Sequence, residues 1–399
     1  MTFAAFARKP NFIIVAFLLG MMCCNLTLAF RVVTPLREGL QDFTIYYMAG
    51  RLVREGRAAE IYDTAVQYHS QLEFALIPKP EDLKPFNHPA FEALLFVPFT
   101  FLPFWPAYLV WTLLSLTLLA IATLFLKRLP KIRELPALLL GLASLTFFPV
   151  VMGLLMGQDS VLLLLLFVMA LISLYRGSDA AAGAWLAGGL FRPHMILPMV
   201  LLLAARRWRL LLGFAPIALL AAGISVALVG WKGSLAYVQF VLQGEHPHGG
   251  FLPRHLPTLR GLISVLPGVR DSPHLTAILI LASSLAVFGL ALHRIRQGQD
   301  SVGYAFCLAS VTTLLVSFHA FSYDLTLLLP LVLFMLSAAI GAEGKERQAQ
   351  RMVLLFLLFL TPLYIYLVMV VRVFLLFSMV LLWLDFRLLA MRAPAGEPA

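Results

Sequence analysis

Long apolar runs recur along the chain and are separated by short clusters of lysine and arginine. A helix of about 20 apolar residues spans the hydrocarbon of a bilayer, so this alternation predicts an all-α polytopic membrane protein. The expected crossings run Asn11 to Phe30, Phe104 to Leu126, Pro136 to Gly153, Ser160 to Tyr175, Trp208 to Gly230, His274 to Leu292, Val302 to Ser317, Leu325 to Ile340, Met352 to Val370 and Val373 to Leu389, about ten in all. Two apolar segments do not suit a simple crossing. Pro89 to Leu102 is too short and is closed by Pro103, and Ala180 to Ala205 is interrupted by Arg192-Pro193-His194. Irregular backbone at membrane depth is tolerated only against protein or a wet cavity. Both segments are therefore expected as half-helices or re-entrant hairpins lining an internal chamber.

The long polar stretch from Arg31 to His88 carries its own periodicity. Ile45, Met48, Ala49, Leu52 and Val53 mark one face of a helix, with Asp42 placed to cap its start and Gly56 just past its end. A second short helix follows Asp63 and sets Ala65, Tyr68, Leu72 and Leu76 on one face. The pair is expected to lie along the outer membrane surface. A further polar loop, Lys232 to Ser272, is rich in Pro, Gly, His and Arg. The whole chain, 1–399, reads as one membrane domain.

Composition strengthens this reading and gives it a direction. Hydrophobic residues make up 61% and charged residues 13%, against about a quarter charged in soluble domains. With a mean hydropathy of +0.90, a soluble domain is excluded. The formal charge of +10 lies in the clusters between apolar runs, so anionic membrane lipid, not nucleic acid, is the expected partner. Lys and Arg accumulate on cytoplasmic loops. On that rule Lys127 to Arg133, Arg176, Arg206 to Arg209, Arg294 with Arg296, Lys345 to Arg351 and Arg387 with Arg392 mark the inner side. Both termini then lie in the cytoplasm, and 31–88 and 232–272 lie outside. Thr27-Leu28-Ala29 faintly matches a signal-peptidase site, but the apolar run is long for a signal core, and it is expected to remain as an anchor. Cys23, Cys24 and Cys307 all fall within apolar runs, which leaves no disulfide framework and no CxxC metal site.

No Gly-rich phosphate loop and no Asp-x-Asp motif is present. Nucleotide-driven chemistry is disfavoured, no cofactor is expected, and a divalent metal is optional. Polar residues gather instead at the outer ends of apolar helices: Asp42, His88, Gln158, Asp159, Arg254, His255, Arg260, His319, Tyr323 and Asp324. Their common side agrees with an orientation drawn from Lys and Arg alone. Ionisable groups at a membrane edge are functional candidates, and several on one face make a site.

The same residues carry a family resemblance. Asp42-Phe43-x-x-Tyr46-Tyr47-x-Ala49 with Gly56 and Ile61-Tyr62-Asp63 comes first, followed by Phe86-Asn87-His88-Pro89 and Gly157-Gln158-Asp159-Ser160. Arg192-Pro193 then precedes an apolar stretch ending Arg206-Arg207-Trp208, and Ser317-Phe318-His319-Ala320-Phe321-Ser322-Tyr323-Asp324-Leu325 runs on to Pro330. In this order, across nearly the whole chain, the pattern resembles glycosyltransferase family 87, a multi-pass family of the GT-C class. Where that family often has Lys-Pro-Gln, this chain has Arg192-Pro193-His194, and where it often has Tyr-Pro-Pro, this chain has Asn87-His88-Pro89.

The resemblance implies a GT-C fold in a bacterial inner membrane and transfer of a sugar, mannose by commonest precedent, from a polyprenyl-phosphate donor to a hydroxyl of a lipid or glycan acceptor on the outer face. An inverting transfer needs a general base opposite the leaving phosphate. Asp42 takes that role by its place in the first outer loop, with His319 to orient it. Arg254, His255 or Arg260, with Arg192, would meet the phosphate, since arginine forks match its oxygens. Each residue also has a structural reading. Asp42 suits a helix cap, Gln158 and Asp159 suit the cap of the helix from Ser160, and His319 and Asp324 suit interhelical hydrogen bonds. Arg254 and Arg260 suit solvated or snorkelling positions, Arg192 a hairpin tip, His88 a turn before Pro89, and Tyr46-Tyr47 an interfacial aromatic anchor. The alternative function is a transporter or flippase of lipid-linked sugars, since broken helices with intramembrane polar groups also build transport sites.

Overall fold

The computed structural model describes residues 9–39, 41–77, 79, 83–242, 255–269, 271–298, 301–340, 345–367 and 375–390. Among these the secondary structure is entirely helical. Four helices are long and apolar enough to cross a membrane: α1 (Lys9–Arg31), α4 (Phe104–Leu126), α10 (Leu210–Leu242) and α12 (Pro273–Arg296). A fifth candidate is the pair α5 (Ala137–Thr146) and α6 (Phe148–Met156), bent by 56°. The bend falls at Phe147, whose ψ of 114° interrupts the helix ahead of Pro149. Other apolar runs form shorter helices, among them α7 (Ser160–Tyr175), α9 (Pro193–Ala204), α13 (Val302–Val316) and α14 (Leu329–Ile340), the last preceded by the 3-10 turn Asp324–Leu328.

Both segments expected to be broken are broken. Residues 90–101 form a 3-10 turn, one short α-turn and a second 3-10 turn. The stretch 180–205 divides into α8 (Asp179–Gly188) and α9, with Arg192 at the join and Pro193 opening the second helix, where a missing N–H costs nothing. The arm α8 lies against α10 at backbone contact. A Cβ on Gly183 would fall 1.8 Å from the Leu210 carbonyl oxygen, and one on Gly213 would fall 1.8 Å from that of Ala180. Small residues allow this approach between apolar helices that no hydrophobic force draws together inside lipid.

Elsewhere the structure departs from the sequence reading. The helix expected to end at Gly230 continues to Leu242, kinked at Gly230 (φ 69°), so the start of the expected 232–272 loop is helical. The run from Met352 is divided at Leu360 into α15 (Lys345–Phe359) and α16 (Thr361–Tyr366), where Pro362 stands in the first turn of the second helix. Thr361 at this break donates to Asn25 Oδ1 (2.8 Å), and Asn25 Nδ2 donates to the Thr146 carbonyl (3.1 Å). The expected crossing from Val373 is represented by α17 (Leu375–Ala390).

The first polar stretch folds into the body of the molecule. Helix α2 (Phe43–Arg54) has the expected bounds, with Gly56 in the left-handed region just beyond it. It does not lie on a surface: Phe43, Tyr46, Met48 and Ala49 are fully buried and form a core with Phe96, Phe104 and Trp111. Helix α3 (Thr64–Leu72) is capped by Asp63, whose carboxylate accepts from the Ala65 and Val66 amides. Its polar side faces inward, with Gln67 and Gln71 hydrogen-bonded to the carbonyls of Ile61 and Lys84. Leu72 and Leu76 point out. Outward leucines also line α10 (Leu212, Leu219, Leu220) and α12 (Leu281, Leu285), as lipid-facing helices require.

Sidedness is open to direct test. With Cys23, Cys24 and Cys307 replaced, single cysteines at the exposed positions Thr64 and Arg133 are expected to differ in intact cells. An impermeant maleimide should label Thr64→Cys at once and Arg133→Cys only after lysis, and equal labelling would overturn the orientation.

Candidate functional site

The geometry is set by the turn between α6 and α7. Gly157 closes α6 at φ +64°, a conformation open to glycine at little strain, and a Cβ there would meet Phe43 Cβ at 2.6 Å. Trp111 Nε1 holds its carbonyl at 2.9 Å. Gln158 and Asp159 follow directly, buried where α2 and the broken segments converge.

Asp42 stands at the head of α2 but does not cap it. Its backbone is already helical (φ −73°, ψ −16°), and a capping side chain needs an extended N-cap residue to reach the free amides. The carboxylate turns the other way: Oδ1 accepts from Lys84 Nζ at 2.9 Å and Oδ2 from Gln158 Nε2 at 2.7 Å. Burial works to raise this carboxyl, but the Lys84 ammonium and the Lys84 and Gln158 hydrogen bonds outweigh it and hold Asp42 below the usual carboxylate range.

From Gln158 the network runs to Arg192. Gln158 Oε1 accepts from Tyr46 Oη at 2.6 Å and also from Arg192 Nη2, so the amide links donors on one side to the Asp42 acceptor on the other. Arg192 donates through Nε and Nη2 to Asp159 Oδ1 (3.0 and 2.6 Å), through Nη2 to Tyr46 Oη (3.1 Å) and through Nη1 to Asp324 Oδ1 (3.3 Å). Its guanidinium carbon lies 5.6 Å from the centre of the Tyr323 ring. Asp324 Oδ2 accepts the Phe321 amide at 2.7 Å, which fixes the turn carrying His319. Side-chain exposure separates the members sharply: 22% for Asp42 and 35% for Lys84, against 2% for Arg192 and none for Asp159 and Asp324.

Two of the structural readings fall here. Asp159 occupies the N-cap position of α7 without a side-chain cap bond, because its carboxylate is taken by Arg192. Tyr46 is fully buried, so it is a member of the network and not an interfacial anchor. Arg192 marks the hairpin break, as its position implied, and each of its three guanidinium nitrogens donates to a protein group.

His319 lies beside this network, ring edge-on to Phe321 (4.7 Å between centres) and perpendicular to His194 (6.0 Å). Burial, reinforced by the Arg192 charge and opposed by Asp42, pushes its pKa down to about 3, so the imidazole is neutral. Arg260, on the short helix α11 (Leu259–Ile263), donates to the Phe318 carbonyl at 3.0 Å and stacks on the Phe318 ring at 3.8 Å. It thus stands next to the His319 turn. His255 is half-buried just before α11, and Arg254 lies outside the described residues. His88 is buried, with Nδ1 2.7 Å from Glu92 Oε2, and Tyr62 Oη donates to its carbonyl.

Sequence reasoning missed Lys84, Tyr46 as a hydrogen-bonding group, and Glu92. A lone carboxylate inside the apolar segment 89–102 was a usable signal for Glu92, whereas nothing local distinguishes Lys84 from other loop lysines. His88, Glu92 and Asp159 are all buried and bring one potential ligand atom each within 4.8 Å of one another.

The family model for glycosyltransferase family 87 matches residues 86–317, more than half of the chain. The chain belongs to glycosyltransferase family 87. It is accordingly a glycosyltransferase, with a sugar donor and an acceptor as substrates. The match takes in His88, Gln158, Asp159, Arg192 and Arg260, while Asp42 and Lys84 precede it and His319, Tyr323 and Asp324 follow it. Comparison with curated proteins and with solved structures gave no match.

In this family 87 chain, Arg192 is expected to be a keystone of stability. Replacing it by Leu strands two buried carboxylates, which costs roughly 3 to 5 kcal/mol, so Arg192→Leu should lose its monodisperse peak in mild detergent or unfold at a clearly lower temperature. Arg192→Lys, which keeps the charge but not the planar fork, should recover only part of the loss.

Proposed function

We propose that this glycosyltransferase moves a sugar, mannose by family precedent, from a polyprenyl-phosphate donor to a hydroxyl of a lipid or glycan acceptor, on the extracytoplasmic face of a bacterial inner membrane. About ten crossings, counting the shorter and broken helices, would set both termini in the cytoplasm and Asp42 outside. The transfer inverts the anomeric centre, and Asp42 is the general base. The observation that carries this reading is the exposure of Asp42. Of the three carboxylates in the Arg192 network, Asp42 alone has an appreciable share of its side chain open, while Asp159 and Asp324 are sealed. A base must reach the proton it takes.

In the proposed step the acceptor oxygen attacks the anomeric carbon as its proton passes to Asp42. The bond from that carbon to the lipid phosphate breaks, and polyprenyl phosphate leaves with the electron pair. Lys84 and Gln158 keep Asp42 ionised before the acceptor arrives. The acceptor hydroxyl competes with Lys84 for the carboxylate, so Lys84 belongs to the acceptor side. Neutral His319 is close enough to feel the Asp42 charge and serves to orient base or acceptor. Arg260, beside the His319 turn, is the best-placed described cation for the donor phosphate, with His255 near it and Arg254 as a further candidate. The transport alternative requires donor binding without transfer.

Asp42→Asn keeps the size of the side chain and removes no helix cap, so the variant should fold. Its transfer from radiolabelled polyprenyl-phosphate sugar should fall by about two to four orders of magnitude, the share general-base catalysis supplies. His319→Ala should also be impaired, and the double variant should be little worse than Asp42→Asn alone if the two act as a unit. Near-normal transfer by Asp42→Asn would remove Asp42 from the chemistry.

For the donor, Arg260→Gln removes a charge-assisted contact worth roughly 1.5 to 3 kcal/mol. Donor affinity, read by displacement of labelled polyprenyl phosphate, should drop about tenfold or more. Unchanged affinity would shift the role to the segment that carries Arg254.

A further inference from the structure

Beside the Arg192 network stands a second group of buried polar atoms that the proposed transfer does not use. Glu92 ends the 3-10 turn Ala90–Glu92 and is fully buried, with neither carboxylate oxygen hydrogen-bonded. Asp159 gives Oδ1 to Arg192, while its Oδ2 is buried and makes no hydrogen bond. His88 Nδ1 lies 2.7 Å from Glu92 Oε2 without hydrogen-bond geometry. Three lone-pair groups thus converge within 4.8 Å of one another.

Charge points the same way. Glu92, Asp159 and Asp324 place three carboxylates in a region where Arg192 is the paired guanidinium. Buried charges of one sign are not left uncompensated. Two carboxylates this close require either a shared proton or a cation between them.

We propose that His88 Nδ1, Glu92 and Asp159 Oδ2 bind one divalent transition-metal ion. One imidazole with two carboxylates is a mixed N/O donor set suited to Mn²⁺, Fe²⁺ or Zn²⁺, whereas Ca²⁺ and Mg²⁺ take oxygen ligands. With metal–ligand bonds of about 2.1 Å, ligand atoms around one ion stand roughly 3.0 to 3.4 Å apart, so on binding the 2.7 Å His88–Glu92 pair opens slightly and the wider pairs draw in. The ion balances the excess buried charge. It also ties the broken segment at 90–92 to the start of α7, and through Asp159 it fixes Arg192. None of its ligands is a hydrogen-bond partner of Asp42, so the proposal does not depend on Asp42 being the base.

The test uses full-length protein in detergent, stripped with EDTA and then returned to Mn²⁺ or Zn²⁺ alone. After gel filtration, mass spectrometry of the metal content should find about one ion per chain, and added ion should raise the unfolding temperature. Glu92→Gln and His88→Gln should each weaken binding at least tenfold. Because either variant could fail to fold, the wild type carries an independent readout: electron spin-echo modulation of bound Mn²⁺ should show one directly coordinated histidine nitrogen. Failure of the wild type to retain either ion would overturn the proposal in favour of a shared proton between Glu92 and Asp159. Binding undiminished in both folded variants, or bound Mn²⁺ without a nitrogen coupling, would overturn it equally.

Discussion

A guanidinium with 2% of its surface exposed, deep in a chain of this hydropathy, constrains everything around it. Arg192 cannot lose its charge, so every donor must find an acceptor that is itself held in place. Asp159, Asp324, Tyr46 and Gln158 supply those acceptors from three separate parts of the fold. The start of α7, the turn before Leu325, the middle of α2 and the α8–α9 break must therefore all be correctly packed before the charge is satisfied. The breaks in the apolar segments follow from this. A continuous helix through 189–193 would carry Arg192 along a regular path, whereas the interruption before Pro193 lets its side chain turn into the interior.

Such a network is an expensive way to fill a core. Apolar residues of similar volume in its place are often neutral or stabilising, and bulk stability therefore does not explain it. What it provides is position. Gln158 is gripped on one side by Tyr46 and Arg192 and on the other presents its amide to Asp42. The one carboxylate of this network that solvent can reach is thereby held at a fixed point by a chain of buried bonds, the preorganisation that the proposed transfer requires.

The boundaries of this architecture were largely legible in the sequence, because they rest on local chemistry. Gly56 past the end of α2, Asp63 at the head of α3 and Pro193 at the opening of α9 act on their immediate neighbours, and each element begins or ends where they imply. The destinations of polar side chains were not legible. Asp42 has the sequence position of a cap, but its backbone is helical, and its partners Lys84 and Gln158 lie 42 and 116 residues away. Tyr46 has the composition of an interfacial anchor until Arg192, 146 residues on, claims its hydroxyl. The amphipathic pattern of α2 was real, but its apolar face met Phe96, Phe104 and Trp111 in place of lipid, since a moment says that a face is buried and not against what.

The division between sealed and open groups bears on how one site can be both stable and reactive. Asp159 and Asp324 share Arg192 in a place closed to solvent. Asp42 is paired with Lys84, a flexible cation that is itself one-third exposed. A part-buried ion pair of this kind is exchanged more readily than the sealed pairs of Arg192. In the proposed transfer the arriving hydroxyl would displace Lys84 and leave Gln158 and Arg192 behind it in place. Rigidity is concentrated around Arg192, and the weakest link is at the one carboxylate of this network that is open to solvent.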